Sequence, residues 1–555
     1  MFLERLSVEN YRALRHASVA FDDTTVIIGE NDSGRTTLLE ALALALGWRA
    51  APDGFSFERS VLPRGDGRHG PTRVILELVE PQRGAWDGDD WAAWTRRLKK
   101  APQRRVRFEV TLAASDSAPL KVSWRFVDAA TSDAWVDDAE LLAFLRGALP
   151  VFWLPTGMVL DRSSPVAAAS NVDVLKEIEA SYHELLEARV EPLTDAGRKL
   201  ERGYRAAQEL ARELMERTGE NEPPSASPVE ALRRQRDLTL TLEHGSAASK
   251  IGLLLLVGGL LRAWTGRPRQ LGRPLLLLEA PEAYLHPMTL ASVWRIIERL
   301  RGQKVIGTHS SVLVGAAPVT SLRRLVRANG EVSTFQVPVG GLSSEDERRY
   351  TYHLRSRRAD ASFGRVWLLV EGETEFWLLP ELARALGYDF TLEGIHCVEF
   401  AQAGLTPLLK VVKHLGMGWH VLTDGDTAGR NYLESARAFV TGEEPRRHLT
   451  LLPQRDLENC FWASGYADFF KRAAGVTGKV RERSAPSVIS HAIRKHSKPG
   501  LALMLLDEVN ARGPKGVPEP LRYAIESCVR QARGEPSNVD TPALRQERPP
   551  RRRRA

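Results

Sequence analysis

The sequence predicts an α/β protein with two successive α/β units, and two observations support this fold class. Near the amino terminus, the apolar run 25–28 is followed by the glycine-containing loop 29–37 and by the apolar stretch 38–46. This order predicts a strand, a loop and a buried helix. In the carboxyl-terminal half, two apolar runs end in acidic residues, at Glu371 and at Asp424. Each pattern is typical of a strand that delivers functional groups to the edge of a sheet.

Composition and length indicate an ordinary soluble protein of two or three domains. The chain has 555 residues, of which 43% are hydrophobic and 26% charged. The first residues lack the pattern of a secretory signal, and the longest apolar run, 251–261, is too short to span a bilayer. The three cysteines are scattered, which argues against disulfides and against a zinc site. We therefore expect a cytoplasmic protein without a membrane anchor.

The net charge of +7 is concentrated at the end of the chain. Residues 551–554 are four arginines, so the rest of the chain carries +3 (7 − 4). The segment after residue 546 is rich in proline and arginine, which predicts a disordered tail. Such a tail either attracts nucleic acid non-specifically or is a solvated extension without a role.

Hydrophobic periodicity divides the first part of the chain into a β-rich region and a helical region. Alternating residues predict strands near 74–78, 106–112 and 122–126, and 151–154 is predicted to be a buried strand. From 172 to 219 apolar residues recur every three or four positions, which predicts a two-helix arm. The arm either pairs with a partner chain or packs on its own domain. The proline- and serine-rich segment 220–228 is predicted to end it.

The second part of the chain begins with a four-leucine strand at 275–278. A helix at 289–300, a strand at 304–306 and a hairpin around Asn329-Gly330 are predicted to follow. Apolar runs vanish between 340 and 363, and a second α/β unit is predicted from 366 to about 509. The predicted organisation is 1–170, a first lobe; 171–228, the helical arm; 229–345, a second lobe; 346–363, a linker; 364–510, the second α/β domain; and 511–555, a carboxyl-terminal segment.

The loop after the first apolar run has the spacing of a P-loop, except that Arg35 stands where lysine is expected. Backbone N–H groups of such a loop and of the following helix bind phosphates, and the hydroxyl of Thr36 would reach Mg²⁺. The candidate nucleotide-binding residues of this loop are Gly29, Asn31, Ser33, Gly34, Arg35, Thr36 and Thr37. We expect the nucleotide to be ATP.

Two later segments are candidates for the remainder of a nucleotide site. Glu279 and Glu282 follow the four-leucine strand, and a carboxylate there can hold the metal through water. His309 follows the strand at 304–306 and is placed like a switch histidine that senses the γ-phosphate. The segment 245–249 before an apolar stretch has the character of a degenerate signature loop.

Acidic residues at strand ends predict a metal site in the second domain. Glu371 and Glu375 are four positions apart, so a helix starting at Gly372 would set them near one face. Asp424 and Asp426 are two positions apart, so a strand end would point both the same way. Converging carboxylates suit Mg²⁺ or Mn²⁺, and such ions cleave or join phosphodiesters.

Together these motifs resemble two known families. Residues 29–37, 279–287 and 305–310 resemble the ABC class of ATPases, in the branch shared with chromosome-maintenance ATPases. Glu371 and the Asp424-Gly-Asp426 motif resemble a Toprim domain. An ABC-type head with an inserted helical, coiled-coil-like arm, followed by a Toprim domain, is the layout of the OLD (overcoming lysogenization defect) endonucleases. The stretches 369–375, 400–405, 419–429 and 497–499 are similar to its class 2 branch.

The resemblance implies further residues and partners. It adds Glu458 to the metal ligands Glu371, Glu375, Asp424 and Asp426, and it makes Lys498 a cation that stabilises the transition state. Read from the residues alone, Lys498 is a surface lysine beside Arg494 and Lys495. The resemblance implies two Mg²⁺ or Mn²⁺ ions, ATP, a DNA substrate and a homodimer in which two heads sandwich two nucleotides.

Two departures from the ATPase pattern leave the activity open to more than one interpretation. Arg35 replaces the P-loop lysine, and Ala280 stands where the catalytic glutamate is expected, so ATP hydrolysis should be slow or absent. The chain is either a metal-dependent DNA endonuclease or a non-cutting, nucleotide-dependent DNA clamp or sensor. A topoisomerase would need a tyrosine-bearing domain, and a primase usually a zinc module.

Overall fold

The computed structural model forms two compact units, residues Met1–Phe363 and Gly364–Ala555. The structure describes residues 1–47, 55–63, 70–96, 98, 102–113, 120–129, 134–136, 139–149, 151–154, 273–283, 290, 294, 297–298, 302–328, 330–353, 359–442, 445–475 and 484–535. The predicted arm at 171–228, the signature-like loop at 245–249 and the arginine-rich tail lie outside these residues. No helix among the described residues has the length and the apolar character needed to cross a membrane.

One large mixed sheet organises the first unit. Its strands, in sequence order, are β1 (Phe2–Tyr11), β2 (Leu14–Ala20), β3 (Thr24–Gly29), β4 (Thr72–Val79), β5 (Arg105–Ala113), β6 (Lys121–Asp128), β7 (Ala134–Val136), β8 (Val151–Leu154), β9 (Leu275–Glu279), β10 (Gln303–Gly307), β11 (Leu322–Ala328) and β12 (Glu331–Phe335). In space the order is β7-β6-β5-β4-β1-β2-β12-β11-β3-β10-β9-β8. The predicted strands near 74, 106, 122, 151, 275 and 304 are all present.

The sheet has an antiparallel part and a parallel part. Strands β7 to β2 pair antiparallel, whereas β11, β3, β10, β9 and β8 pair parallel. Strand β3, which precedes the candidate P-loop, therefore lies beside β10, which precedes the candidate switch residue His309, and β9 is next. The parallel part contains the strand, loop and helix that the sequence predicts around residues 25–46. It brings the carboxyl ends of three motif-bearing strands to one edge of the sheet.

Five α-helices of the first unit have bounds that the structure describes: α1 (Arg35–Ala45), α2 (Ala92–Thr95), α3 (Ala139–Ala148), α4 (Ser311–Ala316) and α5 (Ser344–His353). Residues 290, 294, 297 and 298, inside the helix predicted at 289–300, are helical as well. Helix α1 packs against β1, β3, β4, β9 and β10 through buried apolar residues such as Leu38 and Leu42. All four leucines of β9 are buried, as is typical of a strand inside a parallel sheet. The start of α1, and with it the P-loop, is thereby held against the sheet.

The predicted linker at 346–363 is wrong over most of its length. Residues 344–353 form α5, in which Tyr350 is 0% exposed, and Ala359–Phe363 forms a short 3₁₀ helix. The charged residues at the start of α5 were the reason for expecting a linker. Instead they favour the helix, because three acidic residues lie in its first turn and the Ser343 hydroxyl accepts a hydrogen bond from the Asp346 N–H at 3.1 Å.

The second unit has a four-stranded parallel sheet surrounded by helices. Its strands are β13 (Val366–Val370), β14 (Ile395–Glu399), β15 (Gly418–Thr423) and β16 (Leu449–Leu451). Its helices are α6 (Glu373–Ala385), α7 (Phe390–Glu393), α8 (Leu405–His414), α9 (Thr427–Arg437), α10 (Pro445–His448), α11 (Leu457–Phe461), α12 (Ala467–Ala474), α13 (Ala485–His496), α14 (Lys498–Arg512) and α15 (Glu519–Arg533). The sheet confirms the predicted α/β character of this region.

The strand order of this sheet, β14-β13-β15-β16, creates a crevice at one edge. From β13 the chain moves to β14 on one side and then returns to β15 on the other side. In open parallel sheets, ligands bind outside the carboxyl ends of the strands at such a reversal of order. Glu371 and Asp424 directly follow β13 and β15, so both lie at this point.

The second unit also extends beyond the predicted end at residue 510. Helix α15 packs on β15, β13 and β16, and its Leu521, Ile525 and Cys528 are buried in the core. The Trp419 N–H donates a hydrogen bond to Gln531 Oε1 at 3.1 Å. The sequence of this region is only weakly patterned, and the partner that covers its apolar face is more than a hundred residues away, so the helix was not predicted.

Candidate metal centre and nucleotide site

The ends of β13 and β15 meet at the crevice of the second unit. The Asp424 N–H donates a hydrogen bond to Glu371 Oε1 at 2.9 Å. Burial raises the pKa of Glu371, the Asp424 N–H opposes this, and the Asp426 carboxylate raises it further. Two acidic residues that are far apart in the sequence are therefore immediate neighbours.

Glu375 reaches the same crevice from α6. The helix begins at Glu373 with Gly372 as its N-cap, as the four-residue spacing predicts, so Glu375 lies in the first turn. Burial raises the pKa of Glu375, and the carboxylates of Glu458 and Glu371 add to this effect, against the opposing charge of Lys498. Glu375 is thus part of a group of acidic residues and not of a solvated turn.

Asp424 is at the electrostatic centre of the group. Its pKa is raised to about 8, first by burial and then by the neighbouring carboxylates of Glu375, Glu371, Asp456 and Glu458. Each carboxylate disfavours the ionised form of the others, and nearby positive charge would relieve this repulsion.

The turn that places Asp424 has no room for a side chain at Gly429. A Cβ atom at this position would lie 2.0 Å from the Asp424 carbonyl oxygen and 3.0 Å from Glu371 Oε1. The glycine therefore lets α9 start directly against the backbone of the crevice.

Two aspartates of this region cap helices. Asp426 accepts a hydrogen bond from the Gly429 N–H at 2.8 Å, at the start of α9. The expectation that Asp424 and Asp426 project from one strand is wrong, because β15 ends at Thr423 and Asp426 already belongs to the helix cap. Asp456 accepts in the same way from the Asn459 N–H at 2.8 Å, at the start of α11.

Asp456 is a residue of this group that was not predicted from the sequence. Its charge acts on both Asp424 and Lys498. The sequence contains a pattern that could have identified it. Asp456 stands at a helix start two positions before Glu458, so the two side chains lie near each other. No three histidine, cysteine, aspartate or glutamate residues within the described part of the chain already form a ready metal-binding group. Instead, the carboxylates of Glu371, Asp426 and Asp456 each accept a hydrogen bond from a backbone N–H group.

Lys498 and Glu458 form an ion pair beside the acidic group. Lys498 Nζ lies 3.5 Å from Glu458 Oε1, and Glu458 is 8% exposed. Burial lowers the pKa of Lys498, but Glu458, Glu375 and Asp456 together raise it above its usual value. Lys498 is the first residue of α14, and the preceding Ser497 has a positive φ of 62° and caps the helix. Lys498 is thus directed at the acidic residues.

The residues of the crevice fit divalent cations. They supply carboxylate oxygens, which are the ligands that Mg²⁺ and Mn²⁺ prefer. Burial, and after it the neighbouring carboxylates, raise the pKa of Asp424 to about 8, and a bound cation would favour its ionised form.

The first unit presents the predicted P-loop between β3 and α1. Gly34 is the N-cap of α1 with a left-handed φ of 93°, and no side chain caps this helix. Ser33 is 1% exposed, and its hydroxyl has no hydrogen-bond partner among the described residues. The Thr36 hydroxyl contacts the Glu279 carboxylate, so the two residues expected near Mg²⁺ lie together. The loop fits a bound phosphate. Asn31 and Thr37 belong to the same segment, but neither side chain makes a contact with a described residue that would assign it a role.

Arg35 does not extend into the loop as a P-loop lysine would. Its guanidinium donates a hydrogen bond to the Thr308 carbonyl oxygen at 2.6 Å, and the same group contacts both ring nitrogens of His309, Nδ1 at 2.9 Å. The His309 N–H donates to Glu282 Oε1 at 2.6 Å. The structure therefore brings the P-loop, Glu282 and the switch histidine together, as predicted, but joins them directly to one another.

Comparison with family models agrees with this two-unit organisation. Residues 1–361 match the model described as protein of unknown function (DUF2813). Residues 363–426 match the model of the Toprim domain of overcoming lysogenization defect-like proteins. The second match includes Glu371, Glu375, Asp424 and Asp426, whereas Asp456, Glu458 and Lys498 lie beyond it.

Two curated proteins are similar along most of the chain. The uncharacterized protein YbjD of Escherichia coli is 33% identical over 559 residues, which cover 96% of this chain and 100% of that protein. The OLD nuclease of Thermus scotoductus is 26% identical over 464 residues, which cover 76% of this chain and 82% of that protein.

Solved structures of other proteins match parts of the chain at low identity. The carboxyl-terminal region of the Burkholderia pseudomallei OLD protein covers 31% of this chain and 99% of its own, at 19% identity and a TM-score of 0.27. The SMC head domain of Thermotoga maritima covers 61% of this chain and 99% of its own, at 14% identity and a TM-score of 0.32.

Proposed function

We propose, from the premise that the chain belongs to the DUF2813 family and carries an OLD-like Toprim domain, that it is a metal-dependent DNA endonuclease with an ATP-binding head. The observation that carries the proposal is the meeting of acidic residues from three strand ends around Asp424, whose pKa is raised to about 8. Repulsion among neighbouring carboxylates is typical of functional sites, where a bound cation offsets it.

The residues of the crevice suit phosphodiester hydrolysis. Two bound divalent ions would supply an activated water and stabilise the leaving oxygen. Glu371, Glu375, Asp424, Asp426 and Glu458, together with Asp456, are the residues that would hold them. Lys498 lies beside this group, where its ammonium can neutralise charge that develops on a phosphate.

Exposed arginines beside the crevice support a DNA substrate. Arg430 lies one turn beyond Asp426 on α9, and Arg455 directly precedes Asp456. Both side chains are exposed, and neither forms an ion pair or a side-chain hydrogen bond with a described residue. Because an acidic site repels a polyanion, free cations at its border are the groups that would hold the phosphates of a DNA strand.

The proposal includes ATP at the head, a homodimer and a cytoplasmic location. The uncapped start of α1 and the Ser33 hydroxyl, which has no hydrogen-bond partner in the described part of the chain, suit a phosphate, with Thr36 and Glu279 placed for Mg²⁺. The dimer follows from the resemblance to ATPases whose heads sandwich two nucleotides. Cys397, Cys460 and Cys528 are all free and buried, which fits a reducing compartment.

The decisive experiment is a nicking assay with supercoiled plasmid and Mg²⁺ or Mn²⁺, with and without ATP. We expect the wild type to nick and Arg35→Ala to retain nicking. We expect Asp424→Ala to lose nicking at least about a hundredfold, because loss of even an outer-shell partner of a metal ligand costs about 10–100-fold. Asp389→Asn is a matched control, because Asp389 caps α7 outside the crevice. Absence of nicking with every metal, or equal nicking by the Asp424 variant, would refute the nuclease assignment.

A second candidate, a non-cutting clamp or sensor, is favoured by one observation. Ala280 replaces the expected catalytic glutamate, and its backbone has a positive φ of 43° while its N–H donates to the Gly307 carbonyl at 2.7 Å. A head that binds ATP and hydrolyses it slowly is suited to sensing. DNA binding that changes with nucleotide, in the absence of any nicking, would select this function.

A further inference from the structure

Arg35 stands where P-loops carry a lysine that reaches the β- and γ-phosphates. Here the residue is 7% exposed, and its guanidinium is directed to the carboxyl end of β10. It donates to the Thr308 carbonyl oxygen at 2.6 Å and contacts the ring of His309. Because a guanidinium is a planar fork of donors, one arginine can make these contacts together, whereas a lysine has a single charged nitrogen.

His309 is held through its backbone as well as through its ring. Its N–H donates to Glu282 Oε1 at 2.6 Å. Burial and the charge of Arg35 lower the pKa of His309, which favours the neutral ring, and a neutral imidazole can accept a hydrogen bond from the guanidinium. The two side chains expected to contact a γ-phosphate are therefore satisfied by the protein.

The groups that remain for phosphates belong to the loop and to the start of α1. Helix α1 has 11 residues and no side-chain cap, so the N–H groups of its first turn can bind an anion. The Ser33 hydroxyl is buried without a partner among the described residues, and it points across the loop, 2.7 Å from the position that a Cβ on Gly29 would occupy. In a P-loop these backbone groups hold the α- and β-phosphates.

We propose that this head recognises the diphosphate part of a nucleotide without selecting for the γ-phosphate, so that ADP and ATP bind with similar affinity. Arg35 is then a specificity-determining residue that replaces γ-phosphate contacts by contacts within the protein. The inference rests on the ATP-binding half of the proposed function and is independent of the nuclease half.

The first test is calorimetric titration of the full chain with ATP and with ADP, each in the presence of Mg²⁺. We expect dissociation constants within about threefold of each other, where γ-phosphate selection would give a difference of more than about tenfold. A tenfold preference for ATP overturns this inference and leaves the ATP-binding proposal intact. If neither nucleotide binds, the inference and the ATP-binding proposal both fall, whereas plasmid nicking still decides the nuclease proposal.

The second test changes the contact itself. Arg35→Lys removes the fork that holds Thr308 and His309, and we expect the preference for ATP over ADP to rise at least about fivefold. Arg12→Lys is the matched control, because Arg12 forms an ion pair with Glu40 at 2.6 Å in the same unit, and it should leave the ratio unchanged. An unchanged ratio in the Arg35 variant overturns the role of Arg35. If that variant does not fold, the wild-type ratio remains decisive.

Discussion

Gly429 is the residue at which the crevice of the second unit has the least room. We predict that Gly429→Ala displaces the turn carrying Asp424, because the new methyl group would lie 2.0 Å from the Asp424 carbonyl oxygen. Overpacking of this kind lowers the free energy of unfolding by about 1–3 kcal/mol. We expect the nicking activity to fall as well, because the displaced turn carries Asp424. Chemical denaturation and the plasmid assay measure both effects.

The control for this variant is Gly88→Ala. Gly88 has a φ of −70°, and no atom of the residues that the structure describes lies within 4 Å of the position that a Cβ would occupy there. This substitution should leave stability and nicking unchanged. A Gly429 variant as stable and active as the wild type would show that the turn can move without consequence.

Asp424 makes the stability of the metal-free protein depend on pH. An aspartate in an unfolded chain has a pKa of about 3.9, whereas in the folded protein the pKa of Asp424 is about 8. The folded state holds the proton more tightly between these values. The stabilisation of the folded protein by the protonated Asp424 side chain is complete below about pH 4 and is lost as the pH rises toward 8.

We therefore predict that, in EDTA, the free energy of unfolding of the second unit falls between pH 5 and pH 8 by on the order of 1–3 kcal/mol. Hydrogen exchange of the β15 amides reports this unit alone. Asp424→Asn should remove most of the fall, and excess Mg²⁺ should restore stability to the wild type at pH 8. If the free energy of unfolding depends on pH in the same way in Asp424→Asn and in the wild type, groups other than Asp424 cause this dependence.

At the scale of elements, the starts of α9 and α11 combine helix capping with the acidic site. Asp456 accepts hydrogen bonds from the Asn459 N–H and from Asn459 Nδ2, at 2.8 and 2.7 Å. An asparagine preserves such a cap but not the charge, whereas an alanine loses both. The two variants therefore separate a structural role from a role in holding cations.

We predict that Asp456→Ala costs about 1 kcal/mol of stability, that Asp456→Asn costs a few tenths, and that both raise the Mg²⁺ concentration needed for nicking. Thermal unfolding and a Mg²⁺ titration of nicking measure the two roles. If Asp456→Asn has the Mg²⁺ requirement of the wild type, Asp456 serves the helix alone and the metal site consists of the residues predicted from the sequence.

At the scale of the whole molecule, the charge of the chain is unevenly distributed. Residues 551–554 carry four of the seven net positive charges. We predict that removing residues 547–555 lowers the slope of log K against log salt for duplex binding by up to about 4, since each phosphate contact contributes about 0.9. Replacing the four arginines by lysines should preserve the slope. An unchanged slope after truncation would show that the tail does not touch DNA.

The two units differ in how completely the sequence predicts them. Period-two alternation and short apolar runs locate β4, β5, β6, β8, β9 and β10 but not β2, β7 or β14. Apolar runs that end at Glu371, at Asp424 or at the candidate P-loop indicate which strand ends carry candidate functional groups. These predictions succeed because hydrophobic periodicity and motif spacing are local properties of the chain. Helix α15 and the helix at 344–353 escaped prediction, because the first is covered by a distant sheet and the second is rich in charge.

The identity of the candidate groups could be read from the linear chain, whereas their partners could not. The sequence shows that Arg35 replaces a lysine, but its hydrogen bond to Thr308 spans 273 positions. It shows an aspartate at 456, but not that its charge acts on Asp424 and Lys498. Side-chain direction, burial and the resulting pKa shifts arise when separate strands meet at one sheet edge. Local sequence patterns therefore indicate the kind of chemistry, whereas long-range packing determines which groups face a ligand and which contact each other.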